Sequence, residues 1–537
     1  MSSRITARNA AHRDRRALAY HFAQIDRAIC RCFPGKSGSS LSFLTRKRGA
    51  SCSLAGLLPL SLLPCLLLTA CKPVGPNYNR PGYNAPPAYK ETGASAVVVP
   101  PPNPQGGAWQ PANPSDGMLK GKWWEIYQDP QLNRLEERVE TNNVQLRQAM
   151  ETYLAARDQV SAIRANLFPT LSAGASISRN RVSANRALAG STTNYGDFLI
   201  AGQASWEPDF WGRIRRSVEQ AHANAQATAA DVANVNLTLH AEMATDYFAL
   251  RGLDSQIRLL TDTVDDLERQ LELTQRRFHG GVATEVDVAQ ANTQLETTRA
   301  QLVDLGVARA QYEHAIGTIA NYNLPDFSIP PSPLDLALPK IPIGVPSQLL
   351  QRRPDIAAAE RLADAANAQI GIAVSAYYPT ITLSGSGGFE SANAGTWIQG
   401  PSSLWSLGAQ AAELLFDAGQ RHALTSEARH AYEAQADGYR NTVFQAFEDV
   451  EDQLSGLRIL EQESGVEQRA VDAAQHSFDL SSARYKGGVT SYLEVLTAEQ
   501  TLLQDRVTAI DIESRQFAAS VSLIRALGGG WDVTQLP

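Results

Sequence analysis

Cysteine is the residue type whose placement in this chain best predicts covalent chemistry. All five cysteines lie in the first 71 residues, so the rest of the chain has no thiol for a disulfide or a thiolate metal site. A basic run at residues 46–48 precedes an apolar stretch at residues 54–68, and Leu68-Thr69-Ala70-Cys71 closes it. This order is typical of a secretory signal with a bacterial lipobox, in which the cysteine is lipidated after cleavage. The alternative is an ordinary signal peptide with a chance cysteine.

We therefore interpret residues 1–70 as a targeting segment and exclude them from the prediction of the fold. Lys72, rather than Asp, follows the cysteine, which favours sorting to the outer membrane. The whole chain carries a formal charge of −7 and a mean hydropathy of −0.24. Removing the basic leader makes the mature chain still more acidic. These averages argue against nucleic acid as a partner and against a polytopic helical membrane protein.

No other residues form a recognisable catalytic set. The nine histidines are scattered, and neither a His-Glu-x-x-His motif nor a P-loop occurs. The Gly528-Gly529-Gly530 run follows a predicted helix, where glycine ends the helix, whereas a phosphate site needs such a loop at a helix start. We expect no enzyme activity, no cofactor other than the lipid on Cys71, and no metal.

An internal repeat organises the mature chain. Residues 167–171 recur at 377–381, an offset of 210, and Arg277-Phe278-His279-Gly280-Gly281-Val282 recurs as Arg484-Tyr485-Lys486-Gly487-Gly488-Val489, an offset of 207. Each copy reads helix, strand, strand, long helix, turn, helix. The offset changes in the segment after the shared proline, where we predict a hairpin loop, a place that tolerates insertions.

The predicted strands alternate small or apolar residues with polar ones. Leu171 to Ile177 and Phe198 to Trp206 show this period in the first copy, and residues 381–385 and 405–411 show it in the second. Such a pattern is typical of a transmembrane β-barrel but also fits a soluble sandwich hairpin. Four strands cannot close a membrane barrel, which needs at least about eight. If they enter a membrane, several chains must pool them, because open edges find no water there.

The helical segments are unusually long. Residues 212–279 and 419–486 contain no proline and each predict a helix about 100 Å long. Apolar residues from Leu250 to Leu271, and from Val443 to Leu457, recur at alternating steps of three and four, which predicts coiled-coil packing. Shorter helices are predicted at about residues 131–166, 285–321, 354–376 and 491–526. The shorter ones can pair antiparallel with the long ones through the Gly-Gly turns.

Further motifs complete the pattern, in this order: Cys71-Lys72-Pro73-Val74-Gly75-Pro76-Asn77-Tyr78; Trp123-Trp124 followed by Asp129-Pro130; Arg352-Arg353-Pro354-Asp355-Ile356 with Glu360; and Ala526-Leu527-Gly528-Gly529-Gly530-Trp531. Together with the repeat, they resemble the TolC-like outer-membrane factors, specifically the OprM-type (NodT-type) efflux lipoproteins. The resemblance implies a mainly α protein with a membrane β part. Three protomers would share a twelve-stranded transmembrane β-barrel, four strands each, above an α-barrel of long antiparallel coiled-coil helices.

The resemblance also implies a domain organisation, an environment and partners. The chain would be a homotrimer in the bacterial outer membrane, a passive conduit for drugs or other small molecules that docks through a periplasmic adaptor onto an inner-membrane RND-type pump. The expected segments are 1–70, signal peptide and N-terminal extension; 71–120, lipidated N-terminus and proline-rich equatorial segment; 121–324, first efflux repeat; 325–346, proline-rich linker; 347–531, second efflux repeat; and 532–537, C-terminal tail.

Site residues follow from the same resemblance. The turns Gly280-Gly281-Val282 and Gly487-Gly488-Val489 would form the adaptor-docking tips, since glycine permits the positive φ of a tight reversal. Leu493, Glu494 and Thr497 match positions that constrict the closed channel, and Asp287 with Tyr485 matches a pair that latches neighbouring helices. Many relatives have Asp where this chain has Thr497, and the family's further basic partner falls at Thr490 and is absent.

Two other readings remain open at this stage. A similar channel could serve protein secretion or metal-ion efflux with a different pump. In a different class, the chain could be a structural coiled-coil lipoprotein without a pore, a reading that the paired strand hairpins disfavour.

Overall fold

The computed structural model describes residues 72–83, 85–86, 88–92, 121–183, 194–343 and 346–536. The predicted signal and the lipidation site at Cys71 lie outside these residues. Seven helices of 13 or more residues and four strands build the described part, with the one-turn α-helix Leu349–Arg352 and short 3-10 turns between them. The helices are α1 Pro130–Asn142, α2 Val144–Ala165, α3 Arg213–His279, α4 Glu285–Ile319, α5 Pro354–Ser375, α6 Gln420–Lys486 and α7 Tyr492–Ala526. The strands are β1 Thr170–Arg181, β2 Asn194–Trp206, β3 Thr380–Ser391 and β4 Ser403–Ala412.

The four strands form one antiparallel sheet in the order β1-β2-β3-β4. Each repeat contributes one hairpin, and β2 joins β3 across the repeats, with Phe198 opposite Ser391 and Trp206 opposite Leu383. The sequence therefore predicted the strands correctly. Within the described residues, β1 and β4 each pair on one side only, so both edges of the sheet are open.

The helices confirm the predicted duplication, since α3 and α6 each have 67 residues. α4 packs on α3, α7 packs on α6, and α5 lies against both long helices. The predicted apolar seams are largely buried: Leu250, Leu260 and Leu267 are inaccessible in α3, as are Val443 and Val450 in α6. No helix among the described residues combines the length and apolar character that crossing a membrane requires.

One prediction is wrong: the single helix expected at about 131–166 is two helices, α1 and α2. Asn143 breaks it with an extended backbone (φ −63°, ψ 131°). The Asn143 side chain caps α2 by accepting from the Leu146 N–H, and its amide donates to the Ile319 carbonyl oxygen at 2.8 Å. Asparagine suits such a break because its side chain replaces the missing backbone partners.

The main core lies where the short helices meet the middle of the long ones. Trp123, Tyr127, Phe248 and Phe517 are buried there, with the Phe248 and Phe517 rings 4.8 Å apart. Aromatic side chains of this size bury large apolar areas and prefer such tilted contacts. This core fixes α1, α3 and α7 to one another at a common level.

Next to this core, a buried ion network holds the proline-rich segment against α3. Asp254 accepts from Arg251 at 3.0 Å, from Arg309 at 2.7 Å and from the Ser332 N–H at 3.0 Å. Arg251 also donates to the Pro330 carbonyl oxygen, and Arg309 donates to that of Ile329. Because a proline-rich chain offers few N–H donors, its carbonyl oxygens are bound here by guanidinium groups. We call these side chains and residues 329–332 the equatorial clamp.

A second anchor ties the first described residues to the base of the sheet. The Val74 N–H donates to the Trp211 carbonyl oxygen at 3.0 Å. The buried Arg216 donates to the Val74 carbonyl oxygen at 3.2 Å and to the Asn77 side chain at 3.0 Å. Gly75 has φ +92° and lies so close to Gly371 that a Cβ would collide with its backbone. The chain after Cys71 is thus fixed where β2 leads into α3.

Candidate functional site

The two predicted tip turns have the same backbone geometry. Gly281 and Gly488 both have φ 75°, a conformation that residues other than glycine rarely adopt. Only the second glycine of each pair needs it, because Gly280 and Gly487 have φ −81° and −77°. Each turn therefore depends on one glycine rather than two.

Hydrogen bonds close both turns in the same way. Val282 N–H donates to the Arg277 carbonyl oxygen at 2.9 Å, and Val489 N–H donates to that of Arg484 at 3.0 Å. These are the backbone bonds of a Schellman-type helix end. The Val282 and Val489 side chains are each 71% exposed. Each tip therefore presents a small apolar group on a fixed backbone.

The helices that leave the turns begin differently in the two repeats. In α4, the Thr284 hydroxyl accepts from the Asp287 N–H, and the Asp287 carboxylate accepts from the Thr284 N–H at 2.8 Å. This is a complete capping box. In α7, Ser491 and Glu494 occupy the matching positions, but the Ser491 side chain makes no cap bond. The α7 helix therefore begins without a capping box.

The residues predicted to constrict a channel share one exposed face of α7. Leu493, Glu494 and Thr497 are exposed, whereas Tyr492 and Val495 between them are buried against the other helices. Glu494 Oε2 lies 4.0 Å from the Arg484 guanidinium of the preceding turn, and both side chains are about half exposed. The structure brings these three side chains to one surface and adds a basic neighbour that the sequence analysis did not single out.

Asp287 and Tyr485, the predicted latch, are not hydrogen-bonded to each other within one chain. The Asp287 carboxylate is engaged with Thr284, and the buried Tyr485 hydroxyl has no hydrogen-bond partner among the described residues. Arg277 instead holds Tyr485: its guanidinium carbon lies 4.5 Å from the ring centroid and it donates to the Tyr485 carbonyl oxygen at 3.3 Å. The predicted pair lies at the same tip but has other partners there.

Three polar contacts join the α3–α4 hairpin to the α6–α7 hairpin near the tips. Arg277 binds Tyr485, Gln270 Nε2 donates to Glu499 Oε1 at 2.9 Å, and Gln500 Nε2 donates to Gln294 Oε1 at 2.7 Å. In a further contact of this kind, the Tyr492 hydroxyl donates to Gln270 Oε1. We call this junction the hairpin seam. Sequence reasoning missed Glu499, although a signal was present. The series Tyr492, Val495, Glu499, Leu502 steps by three and four, which places a carboxyl on the buried face.

Chemically, the site offers surfaces and charges rather than a reaction centre. Among the described residues, no group of three or more His, Cys, Asp or Glu side chains could hold a metal ion. The exposed apolar tips and the acidic helix face fit docking and the passage of ions or molecules. A sheet with two open edges, carried on helical hairpins about 100 Å long, fits the class of membrane channels that several chains build together.

Comparison with known proteins identifies the family within that class. The model of the outer membrane efflux protein family matches residues 135–321 and 345–529, one segment in each repeat. The chain therefore belongs to the outer membrane efflux protein family. As such, it is an outer-membrane channel component of an efflux system, and it resides in the bacterial outer membrane.

Individual relatives agree over most of the chain. It is 32% identical over 433 residues to the probable efflux pump outer membrane protein TtgC of Pseudomonas putida, covering 80% of this chain and 89% of that protein. It is 31% identical over 476 residues to the outer membrane protein OprJ of Pseudomonas aeruginosa, covering 88% and 95%.

Solved structures show the same fold. The outer-membrane channel OprN superposes with a TM-score of 0.77 at 27% identity, covering 85% of this chain and 99% of that one. The open-state MtrE outer membrane channel of Neisseria gonorrhoeae superposes with a TM-score of 0.74 at 26% identity, covering 86% and 99%. The TolC-like fold predicted from the sequence is confirmed.

Proposed function

We propose that three copies of this chain form one passive conduit across the outer membrane. Its periplasmic tips would dock onto an adaptor protein, and an inner-membrane RND-type pump would supply the energy and select the cargo. The observation that carries this proposal is the sheet, because the described residues of one chain contribute four strands with two open edges. Backbone N–H and C=O groups at such edges stay unpaired in lipid unless another copy pairs with them. The family resemblance sets the number of copies at three.

The side chains of the sheet support a membrane setting. Leu171 on β1 is 82% exposed, and Trp405 and Leu407 on β4 are 78% and 79% exposed. An apolar surface of this kind is unfavourable in water and favourable against lipid. Both edge strands expose apolar side chains, which is what a strand needs where two copies meet in the lipid.

At the other end, the tips support docking. Gly281 and Gly488 fix two turns of the same shape, and each turn exposes one valine. An adaptor that recognises a small apolar group on a rigid backbone would find that feature twice in each protomer. Rigid contact surfaces of this kind lose little conformational entropy on binding.

A gate at the same end is supported by the exposed face of α7. In a trimer, Leu493, Glu494 and Thr497 would each recur three times around the axis. A ring of Glu494 carboxylates attracts cations and repels anions. Arg484 lies 4.0 Å from Glu494 and would reduce the negative charge of this ring, and Thr497 contributes no charge to it.

Lipidation of Cys71 is part of the proposal. The hydrogen bonds from Val74 and Arg216 hold the chain at the base of the sheet only three residues after Cys71. A lipid on Cys71 would therefore lie at the level where the strands leave the membrane. Cys71→Ser should abolish incorporation of radiolabelled fatty acid while the strands still anchor the assembly. Label remaining on the Cys71→Ser protein would place the lipid elsewhere.

For the cargo, we propose small organic molecules. Relatives named for toluene efflux, antibiotic efflux and pyoverdine export in Pseudomonas species support this class. The chain itself would act as the exit duct for whatever the pump delivers.

Two measurements test the assembly. Protein extracted from outer membranes with detergent should have the mass of three chains by light scattering, and it should give discrete single-channel conductance in planar bilayers. A monomer without conductance would support a structural coiled-coil lipoprotein instead. Conducting dimers would keep the channel but reject the trimer.

A further inference from the structure

A buried carboxyl group bridges the two hairpins of one chain near their tips. Glu499, on α7, is 7% exposed, and its Oε1 accepts from Gln270 Nε2 on α3 at 2.9 Å. The Tyr492 hydroxyl donates to Gln270 Oε1 at 3.3 Å. A single glutamine of α3 is therefore bound twice by α7, and one of those bonds ends on a carboxyl group.

The second oxygen of this carboxyl has no partner. Glu499 Oε2 is buried and makes no hydrogen bond among the described residues. A cavity of about 580 Å³ borders the carboxyl, between α3, α6 and α7. An ionised carboxylate with one neutral donor is poorly stabilised at such a position. A neutral carboxyl there costs far less, because Oε2 of an ionised carboxylate stays buried without a donor until the side chain or the helices around it move.

The charged groups around the cavity do not neutralise Glu499. From α3, Asp266 and Arg269 pair with each other. On α7, Arg506 donates to Gln475 of α6. From α4, the side chain that bonds α7 at this level is the neutral Gln294. The remaining titratable side chains that line the cavity are Asp479, Tyr485, Lys486 and Tyr492.

Burial raises the pKa of Glu499 to about 7, and the nearby Asp266 charge adds to the rise. The hydrogen bond from Gln270 acts in the opposite direction and is the weaker influence. In a separated, hydrated seam the carboxyl would return towards the ordinary pKa of about 4.3. The packed seam therefore binds a proton more tightly than the separated one.

We propose that Glu499 is a proton switch: its neutral carboxyl keeps the hairpin seam packed, and its ionisation loosens the seam and opens the periplasmic end of the channel. This inference rests on the proposed channel function and adds a regulation to it. The exposed Glu494 face would act on passing ions, whereas Glu499 would act on the position of the helices.

The direction of the pH effect follows from linkage. Because the pKa is raised in the packed state, the proton stabilises packing below pH 4.3, and this stabilisation is lost as the pH rises through about 7. Between those values the ratio of packed to separated seams falls by up to about tenfold per pH unit for each protomer. Raising the pH from 5 to 8 should thus open the seam.

Distances between spin labels on the full-length mature protein test the movement without requiring conduction. One label goes on α3 at Glu272→Cys and one on α7 at Thr501→Cys, both exposed positions. We expect the distance to lengthen as the pH rises from about 5 and to level off near pH 7, where both states have lost the proton. In the Glu499→Gln background, which keeps an amide oxygen for Gln270 but cannot ionise, the short distance should persist to pH 9. Asp505→Asn, which neutralises a partly exposed carboxylate of the same helix outside the gate, should leave the pH dependence of the distance unchanged.

Planar-bilayer conductance over the same pH range provides the second readout. Conductance should rise between about pH 5 and pH 7 in the unsubstituted channel and stay low in Glu499→Gln. A label distance that ignores pH, or one that lengthens equally in Glu499→Gln, would overturn the switch even if the channel conducts. A pH-dependent distance in a protein that never conducts would instead support the switch and reject the conduit.

Discussion

Comparing alanine substitutions at the two glycines of one tip isolates the effect of backbone strain, because both variants add the same methyl group. Gly281→Ala puts a Cβ on a residue with φ 75°, and no atom lies within 4 Å of that Cβ. The cost is therefore confined to the left-handed backbone, about 1–2 kcal/mol. Gly280→Ala adds the same methyl group at φ −81°, where alanine is relaxed and its nearest contact is an ordinary 3.5 Å.

The strain should appear first as local opening of the turn. The Val282 N–H, bonded to the Arg277 carbonyl oxygen at 2.9 Å, reports on it directly. We expect its hydrogen exchange, followed by mass spectrometry of the detergent-solubilised protein, to speed up by about 5- to 30-fold in Gly281→Ala. In Gly280→Ala it should be unchanged or slower, because alanine restricts the unfolded chain.

The second repeat supplies an independent copy of the experiment. Gly488→Ala should behave like Gly281→Ala, and Gly487→Ala should behave like Gly280→Ala, since the φ angles match. Equal exchange rates in the two members of either pair would refute the argument that one glycine per turn is required. If the tips are the docking sites, Gly281→Ala and Gly488→Ala should weaken adaptor binding more than Gly280→Ala and Gly487→Ala do.

Three further predictions concern the charges and caps of the structure. Asp254→Ala leaves the buried Arg251 without a carboxylate and Arg309 with Glu313 alone. It should therefore cost about 3 kcal/mol and lower the apparent melting temperature in scanning fluorimetry; an unaltered melting curve would contradict the clamp. Arg484→Ala removes the counter-charge of Glu494 and should shift the reversal potential in a KCl gradient towards greater cation selectivity, whereas a shift towards anions would reject the pairing. Thr284→Ala should destabilise the first turn of α4 by about 1 kcal/mol in hydrogen exchange, and Ser491→Ala should not affect α7 because its hydroxyl makes no cap bond; equal effects would contradict the difference between the repeats.

Periodic features of this fold were predictable because each depends on a pattern that repeats along the chain. The two-residue alternation located all four strands, and steps of three and four residues located the buried side of α3. The break at Asn143 was not predictable in this way, since it depends on a hydrogen bond to Ile319, 176 residues away.

In the candidate site, too, local features were predictable from the sequence and long-range contacts were not. The glycine turns are local, and the sequence predicted their place, although not that only Gly281 and Gly488 need a positive φ. The latch that the resemblance implies for Asp287 stays a prediction, whereas the capping box of Asp287 follows from its local Thr-x-x-Asp spacing. The Gln270–Glu499 bond joins different hairpins, so no spacing within either segment could specify it.

The equatorial clamp also sets a mechanical scale. It grips α3 at Arg251 and Asp254, and the helix continues without interruption to His279. The part of the helix beyond the clamp, which packs on α4 and α7, is about 40 Å long. Tilting it by about 5° would carry the turn sideways by about 3–4 Å, with every backbone hydrogen bond of the helix intact. If α3 tilted about the clamp, a rotation of a few degrees there would thus displace the Gly280-Gly281 turn by several ångströms.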